Sequence, residues 1–467
     1  MKKTLLLTLA TGVACAMTTM ADTYDLYITG ATAFRANVHD ACKGLFDTTP
    51  STGAGTLVYG LAASGGDGTT GNGNAQWTMS GYCTNTISAL GTNELVIHAL
   101  FNGSVQGIQN TELQTKLLFL AKNGSVITNT PTIGYSDCAS KSTPFDTLNT
   151  SDFAEEVVAV QPFVWVRAIN GNPLMTNVVN VTWEQAKYII AAGRAKLSAW
   201  TYKPTDTNLI YMVQRTQDSG TRRVELACSG YGYNQSMTIY NYDQATNQYY
   251  LTGGSPGNGS NNTTGLTGYD IVGAAGNGGG NLTWGSGYVG GGDLRDKAIN
   301  VANSNNVSLG YLSFADAKKA GNPAGLSASN WLAVIAFNGV YPTIGTNGSC
   351  FKDDKTTPWL WGNGTTNNFS PITSGQYPGY GNEVCVYPVT DPSTLSADQN
   401  LTTAILGKKT TAGTILGILH KAYAAGVAPV KGSIEYEIEA SKPTGATAIR
   451  LSDMKTSRPA VGGLITP

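Results

Sequence analysis

Charge is scarce in this sequence. Of 467 residues, 29 are Lys or Arg and 30 are Asp or Glu, 13% together, for a formal net charge of -1. Such an even balance carries no electrostatic footprint for nucleic acid or for an anionic membrane surface. Histidine is rarer still, with only His39, His98 and His420. None sits at metal-ligand spacing, no two cysteines lie close together, and neither a nucleophile elbow nor a His-based dyad can be read. The expectation is therefore a chain with no catalytic residues, no metal and no cofactor. Long apolar runs are also missing. Leu5–Ala16 is too short to span a bilayer, and no later stretch approaches that length.

The short run has a different meaning. Met1-Lys2-Lys3 is a basic start, and Thr19-Met20-Ala21 is a small-residue end. Together they read as a signal peptide over residues 1–21, with a mature protein that begins at Asp22 and is exported to the periplasm. Cys15 follows Gly12-Val13-Ala14 without a Leu three places before it, so a soluble product is expected, with no membrane insertion after cleavage.

Glycine is abundant, 57 residues against a usual share of about 7%. With so little charge, Asn, Thr, Ser, Gly and Tyr must cover the surface. The length calls for more than one hydrophobic core. Beyond Cys15 the cysteines are Cys42, Cys83, Cys138, Cys228, Cys350 and Cys385. An even number in an exported chain predicts disulfides, with Cys42–Cys83 and Cys350–Cys385 preferred because each stays within one lobe of the division below.

Strand and helix signals alternate along the chain. Tyr24–Ile28 alternates apolar and polar, and after a turn Phe34, Val38, Ala41, Cys42 and Leu45 fall on one helix face. Glu94–Leu100 reads as a strand, followed by Asn102-Gly103-Ser104 and a helix from Val105. Thr132–Tyr135 is a short strand ending at Ser136-Asp137. Thr182 with Gln185 forms a capping box for a helix over Trp183–Ala192, stopped by Gly193. Leu209–Val213 is a strand, and Ser219-Gly220-Thr221 opens the next helix. This grammar predicts α/β domains with parallel sheets.

Two longer extended segments, Val157–Ile169 and Trp331–Val340, are expected to cross between two lobes. Pro162 cannot serve a regular central ladder and suits a strand that changes sheets. The division follows: residues 22–160 and 340–467 form a discontinuous first lobe, and 161–339 a second. Within the second, 253–283 is a Gly/Asn-rich insertion.

Four β–α junctions carry the chemistry: Gly30 to Phe34, Gly103-Ser104, Ser136-Asp137 and Ser219-Gly220-Thr221. A helix start leaves N–H groups unpaired at its positive end and can accept an anion. Each such turn is also an ordinary N-cap. The more specific signal is their succession, with Arg215 four residues before Ser219.

These residues resemble a family. Gly30-Ala31-Thr32-Ala33-Phe34 looks like the turn that begins the periplasmic phosphate-binding proteins of ABC transporters. Gly103-Ser104-Val105-Gln106-Gly107-Ile108 resembles their Gly-Ser loop, and Gly134-Tyr135-Ser136-Asp137 their Ser-Asp segment. Arg215 through Thr221 is similar to their Arg…Ser-Gly-Thr signature. Trp284–Gly290 and Leu309–Leu312 look like later segments, so the similarity runs over residues 25–340.

The resemblance implies an α/β, two-lobed type II periplasmic-binding-protein fold. Each lobe would hold a mostly parallel sheet flanked by helices, and two crossover strands would join them. It also implies an extracytoplasmic solute-binding protein, not an enzyme, that captures inorganic phosphate or a similar oxyanion for an ABC-transporter permease. Thr32 would line the ligand with its hydroxyl shifted one place from the family's, Ala33 and Phe34 would offer backbone N–H groups, Ser104 a hydroxyl and N–H, and Arg215 a charged bidentate contact. Ser219, Gly220 and Thr221 would donate from a helix start. Asp137 would accept a proton from the ligand and so reject a fully deprotonated anion. Ala33 stands where the family has Thr, and Arg35 and Arg222 add charge beside the site. A second reading stays open: a structural or interaction protein of the envelope on the same fold, with an aromatic tail around Trp359, Trp361, Tyr377 and Tyr380.

Overall fold

The structure is a computed structural model. It describes residues 22–50, 55–60, 75–143, 152–168, 173–216, 218–232, 236–243, 248–251, 266–267, 287–288, 290–299, 307–321, 332–343, 369–392, 401–442 and 447–456. The signal peptide, Cys350, Trp284, Trp359, Trp361 and nearly all of the Gly/Asn-rich stretch lie outside these residues.

Eleven strands form one mixed sheet. In chain order they are β1 (Thr23–Gly30), β2 (Thr56–Tyr59), β3 (Gln76–Tyr82), β4 (Glu94–Leu100), β5 (Ile133–Ser136), β6 (Phe153–Ala168), β7 (Arg194–Lys196), β8 (Leu209–Met212), β9 (Ser308–Ser313), β10 (Leu332–Val334) and β11 (Tyr380–Pro388). Their spatial order is β7-β8-β9-β6-β11-β5-β1-β4-β3-β2, with β10 also against β6. β5, β1 and β4 are parallel, as are β8 and β9, and the remaining ladders are antiparallel. Helices α1 (Arg35–Leu45), α2 (Ser104–Glu112), α3 (Trp183–Ala192), α4 (Gly220–Cys228) and α5 (Phe314–Gly321) connect or flank them.

Two hydrophobic cores sit on the two halves of the sheet. One gathers Leu26, Ile28, Phe34, Val38, Trp77, Ile97, Tyr135, Ala159 and Cys385. The other gathers Val160, Phe163, Trp165, Ile189, Met212, Val224, Leu309, Leu332 and Phe337. The protein is thus a two-lobed α/β molecule. β6 runs between the halves, pairing with β11 from Phe153 to Pro162 and with β9 from Phe163 to Arg167. Pro162 marks the change of partner, where a missing N–H costs the ladder least. The second segment expected to cross does not. Leu332–Val334 lies on the outer part of β6 and packs into the second core. The strand that returns alongside β6 is β11, and Phe369, Ile372 and Tyr377 before it still belong to the second core.

The disulfide expectation is corrected. None of Cys42, Cys83, Cys138, Cys228 and Cys385 is joined in a disulfide, and all are buried. They fill the two cores as small apolar side chains, a common use of cysteine. Burial pushes Cys138 up to about 12 and Cys385 well above its usual range, so neither is a reactive thiolate. Among the described residues no helix is long and apolar enough to cross a membrane, and no cluster of side chains is fit to hold a metal.

Candidate functional site

The site forms where parallel strands end. β1, β4 and β5 run in one direction and β8 in the other half runs in the opposite one, so their C-terminal residues face one another where the halves join. The ends of parallel strands are the usual place for ligand chemistry in open α/β folds. After β4, Gly103 takes φ +139°, a backbone only glycine adopts freely, and its N–H reaches Gly30 O at the end of β1, 3.0 Å away. α2 begins at Ser104, with no side-chain cap at its start.

Ser104 Oγ donates to Asp137 Oδ2 at 2.8 Å, joining the ends of β4 and β5. α4 brings its start to the same point. A Cβ on Gly220 would lie 2.5 Å from Ser104 Oγ, 2.7 Å from Ser104 Cβ and 2.8 Å from Asp137 Cβ. Only glycine lets the two helix starts approach so closely. Arg215, between β8 and α4, sends Nη1 to Thr221 Oγ1 at 3.2 Å and Nε to Tyr288 O at 3.2 Å. Ser104, Asp137, Arg215, Ser219 and Thr221 are each at most 3% exposed.

The first turn joins through neighbours. Ala31 N–H donates to Tyr135 O at 2.8 Å, and the fully buried Phe34 ring faces the Tyr135 ring. Arg35 Nη1 donates to Thr32 O at 3.1 Å, and its guanidinium acts on that of Arg215. All four predicted turns therefore meet. Some of the expected donors are already engaged, however. Phe34 N–H donates to Ala31 O at 3.3 Å and Ser219 N–H to Thr216 O at 3.1 Å, while Ser219 Oγ accepts from Arg222 N as the N-cap of α4. Asp218 reaches across to α2: its carbonyl accepts from Val105 N at 3.2 Å and its carboxylate from Gln106 Nε2 at 3.3 Å.

The charges are mixed. Burial draws the Arg215 guanidinium below its ordinary range, opposed by the carboxylates of Asp316, Asp137 and Asp293. Asp316 accepts from Ser313 Oγ at 2.8 Å. Asp137 is raised by burial, an effect that hydrogen bonds from Glu383 and Ser104 and the charge of Arg215 partly offset. Asp293, Asp316 and Glu383 were not selected from the sequence. Asp316 sits in the first turn of α5 and reads as a plain helix-start acid. Glu383 does leave a trace, as the one acid inside the apolar run of β11.

No protein-family model matches the chain, and no curated protein is similar to it in sequence. Among solved structures it is similar to a phosphate ABC transporter substrate-binding protein of Clostridium perfringens, solved with bound phosphate. That match has 12% identity, 78% of this chain and 86% of the other covered, and a TM-score of 0.36. An ABC-type phosphate transport receptor of Vibrio cholerae gives 11%, 79% and 90%, with a TM-score of 0.33. A phosphate-binding protein of Stenotrophomonas maltophilia gives 10%, 80% and 81%, with a TM-score of 0.35.

Proposed function

We propose that this chain is an extracytoplasmic solute-binding protein that takes a small oxyanion, phosphate above others, between its two lobes. The observation that carries the reading is the convergence of Ser104, Asp137, Arg215, Gly220 and Thr221, drawn from both halves of the sheet, at one buried point. A guanidinium, a serine hydroxyl and two helix starts supply donors for anionic oxygens. The Asp137 carboxylate repels an anion without a hydrogen and accepts from one that keeps it. Phosphate near neutral pH fits that filter and sulfate does not. An ABC permease is the partner this role requires.

The test is thermal. Phosphate should raise the melting temperature of the full chain, adding about 2.7 kcal/mol of stability at 100 times its Kd, and sulfate should leave it unchanged. Equal stabilisation by both anions removes the Asp137 filter. A second reading is favoured by the bridge from Asp218 to Val105 N and Gln106, which already ties α2 to the α4 loop. On that reading the chain keeps the binding fold as an envelope protein without transport, and neither anion changes the melting temperature.

A further inference from the structure

The carboxyl of Glu383 has no counterpart in the anion-binding scheme, yet it lies against the scheme's most selective group. β11 runs antiparallel to β5, with Val384 opposite Ser136, and its ladder with β6 shifts register between Glu383 and Val384. That irregularity falls beside Asp137, the residue that follows β5. Gly381, two residues earlier, packs on the Asp137 carbonyl: a Cβ there would lie 2.6 Å from it.

Glu383 is fully buried and Asp137 nearly so. Taken as two carboxylates, the pair does not work. Asp137 Oδ2 has the Ser104 hydroxyl, but Asp137 Oδ1 and both oxygens of Glu383 meet no N–H or O–H donor. Two buried like charges in contact are strongly disfavoured, and so are buried acceptors without a donor. One proton held between them removes both costs, because Glu383 then donates to Asp137 and the pair carries a single negative charge.

We propose that Glu383 is a positioning residue for ligand selection: it holds a proton against Asp137, and so keeps Asp137 an anionic acceptor toward the ligand while adding no second charge to the site. The surrounding groups agree. Burial, the Asp137 carboxylate and the Cys138 thiol all push Glu383 well above the usual carboxylate range. Its own strand adds Cys385, and β5 adds Tyr135, both held protonated by burial. Glu155 and Glu156 of β6 act on Cys385. The cations of the neighbourhood address other partners: Arg215 acts on Asp137, against Asp316, and Arg223 of α4 acts on Cys138. Ser104 of α2 donates to Asp137. The proton therefore rests on Glu383 and the charge on Asp137.

The consequence for ligand binding rests on the anion-binding reading above, so the experiment has two arms. Phosphate affinity is measured by calorimetry on the full chain and on Glu383→Gln at neutral pH and then at rising pH until the band difference of the second arm is lost, so that loss of the shared proton is reached. Gln matches the protonated acid in shape, donates the same hydrogen bond and has nothing to titrate. The titration of phosphate itself is common to both proteins and cancels in the ratio of their affinities. That ratio, parent over variant, should fall with rising pH by up to about tenfold per unit once the pair loses its proton. A ratio that stays constant overturns the proposal. The second arm needs no ligand: the infrared carbonyl band of a protonated carboxylic acid, read at neutral pH, should be present in the parent and weakened in Glu383→Gln. Identical bands overturn the shared proton. Should neither protein bind phosphate while the band difference appears, the anion reading fails and the proton pair stands.

Discussion

Gly220 and Ser104 touch at the meeting point of the two lobes: a Cβ on Gly220 would sit 2.5 Å from the Ser104 hydroxyl. The contact sets two helix starts against one another, and its distance leaves no room for a methyl group. Gly220→Ala is expected to cost about 1–3 kcal/mol of stability, the usual penalty for overpacking. Removing the side chain it strikes should return part of that loss, so Gly220→Ala with Ser104→Gly should melt above Gly220→Ala alone. Thermal denaturation of the three proteins checks this. A double variant no more stable than the single one would place the two helix starts apart.

Local grammar made much of this fold legible. The Thr182–Gln185 capping box forms as read, with Gly193 in a left-handed C-cap, and the helix between them spans the expected residues. Pro162 pointed to a strand that changes sheets; it sits instead where β6 changes partner within one sheet. The second crossing strand was misplaced for a physical reason. Leu332–Phe337 is apolar throughout because it is buried on both faces, and a crossing strand has the same composition. Only pairing separates it from Tyr380–Pro388. The disulfide reading failed because an even cysteine count carries no distance information, and these thiols are spread through two cores. Gly103, Ser104, Asp137, Arg215 and Gly220 could be picked out as turn residues before helices. Glu383 could not, since its meaning depends on which strand lies beside it.

Glu225, inside α4, gives the stability a pH slope. It is fully buried, Gln214 Nε2 donates to it at 3.2 Å, and burial raises its pKa to about 8. A carboxyl whose folded pKa is raised contributes stability in full below its unfolded pKa, and that contribution is lost as pH climbs toward the folded value. Between its ordinary range and about pH 8, this one group should remove about 1.4 kcal/mol per pH unit. Denaturant melts of the parent and Glu225→Gln across that window should show the extra slope in the parent alone. Parallel curves would mean that Glu225 is ionised in the fold.

The five described cysteines should behave as core residues. In protein never exposed to reductant, Cys42, Cys83, Cys138, Cys228 and Cys385 should resist alkylation until the chain unfolds, then react together. Burial is the largest cause that holds both Cys42 and Cys83 up, helped at Cys42 by Cys83 and Asp40 and at Cys83 by Asp47, so the folded chain offers no fast thiolate there. Peptide mapping that found disulfide links among these five would contradict the structure.

Two buried arginines separate binding from architecture. Arg167 is fully buried in β6, where its Nε donates to Val178 O at 2.8 Å and its Nη1 to Ala168 O at 3.1 Å. Burial lowers its pKa to about 10, so it holds a loop through backbone carbonyls at an electrostatic cost. Arg215 is equally buried but ends among Thr221, Tyr288 O and the carboxylates of Asp316, Asp137 and Asp293, at the point proposed for the anion. Its removal from a desolvated charged contact should cost on the order of 2–5 kcal/mol of binding free energy, and so roughly thirty-fold or more in affinity. Arg167→Ala should instead lower the melting temperature, because two carbonyls lose their donor, and leave phosphate affinity close to the parent's in the folded fraction. Isothermal titration of both variants below their melting temperatures distinguishes the roles. If Arg215→Ala binds phosphate as tightly as the parent, the anion does not sit at the junction of Ser104, Gly220 and Thr221.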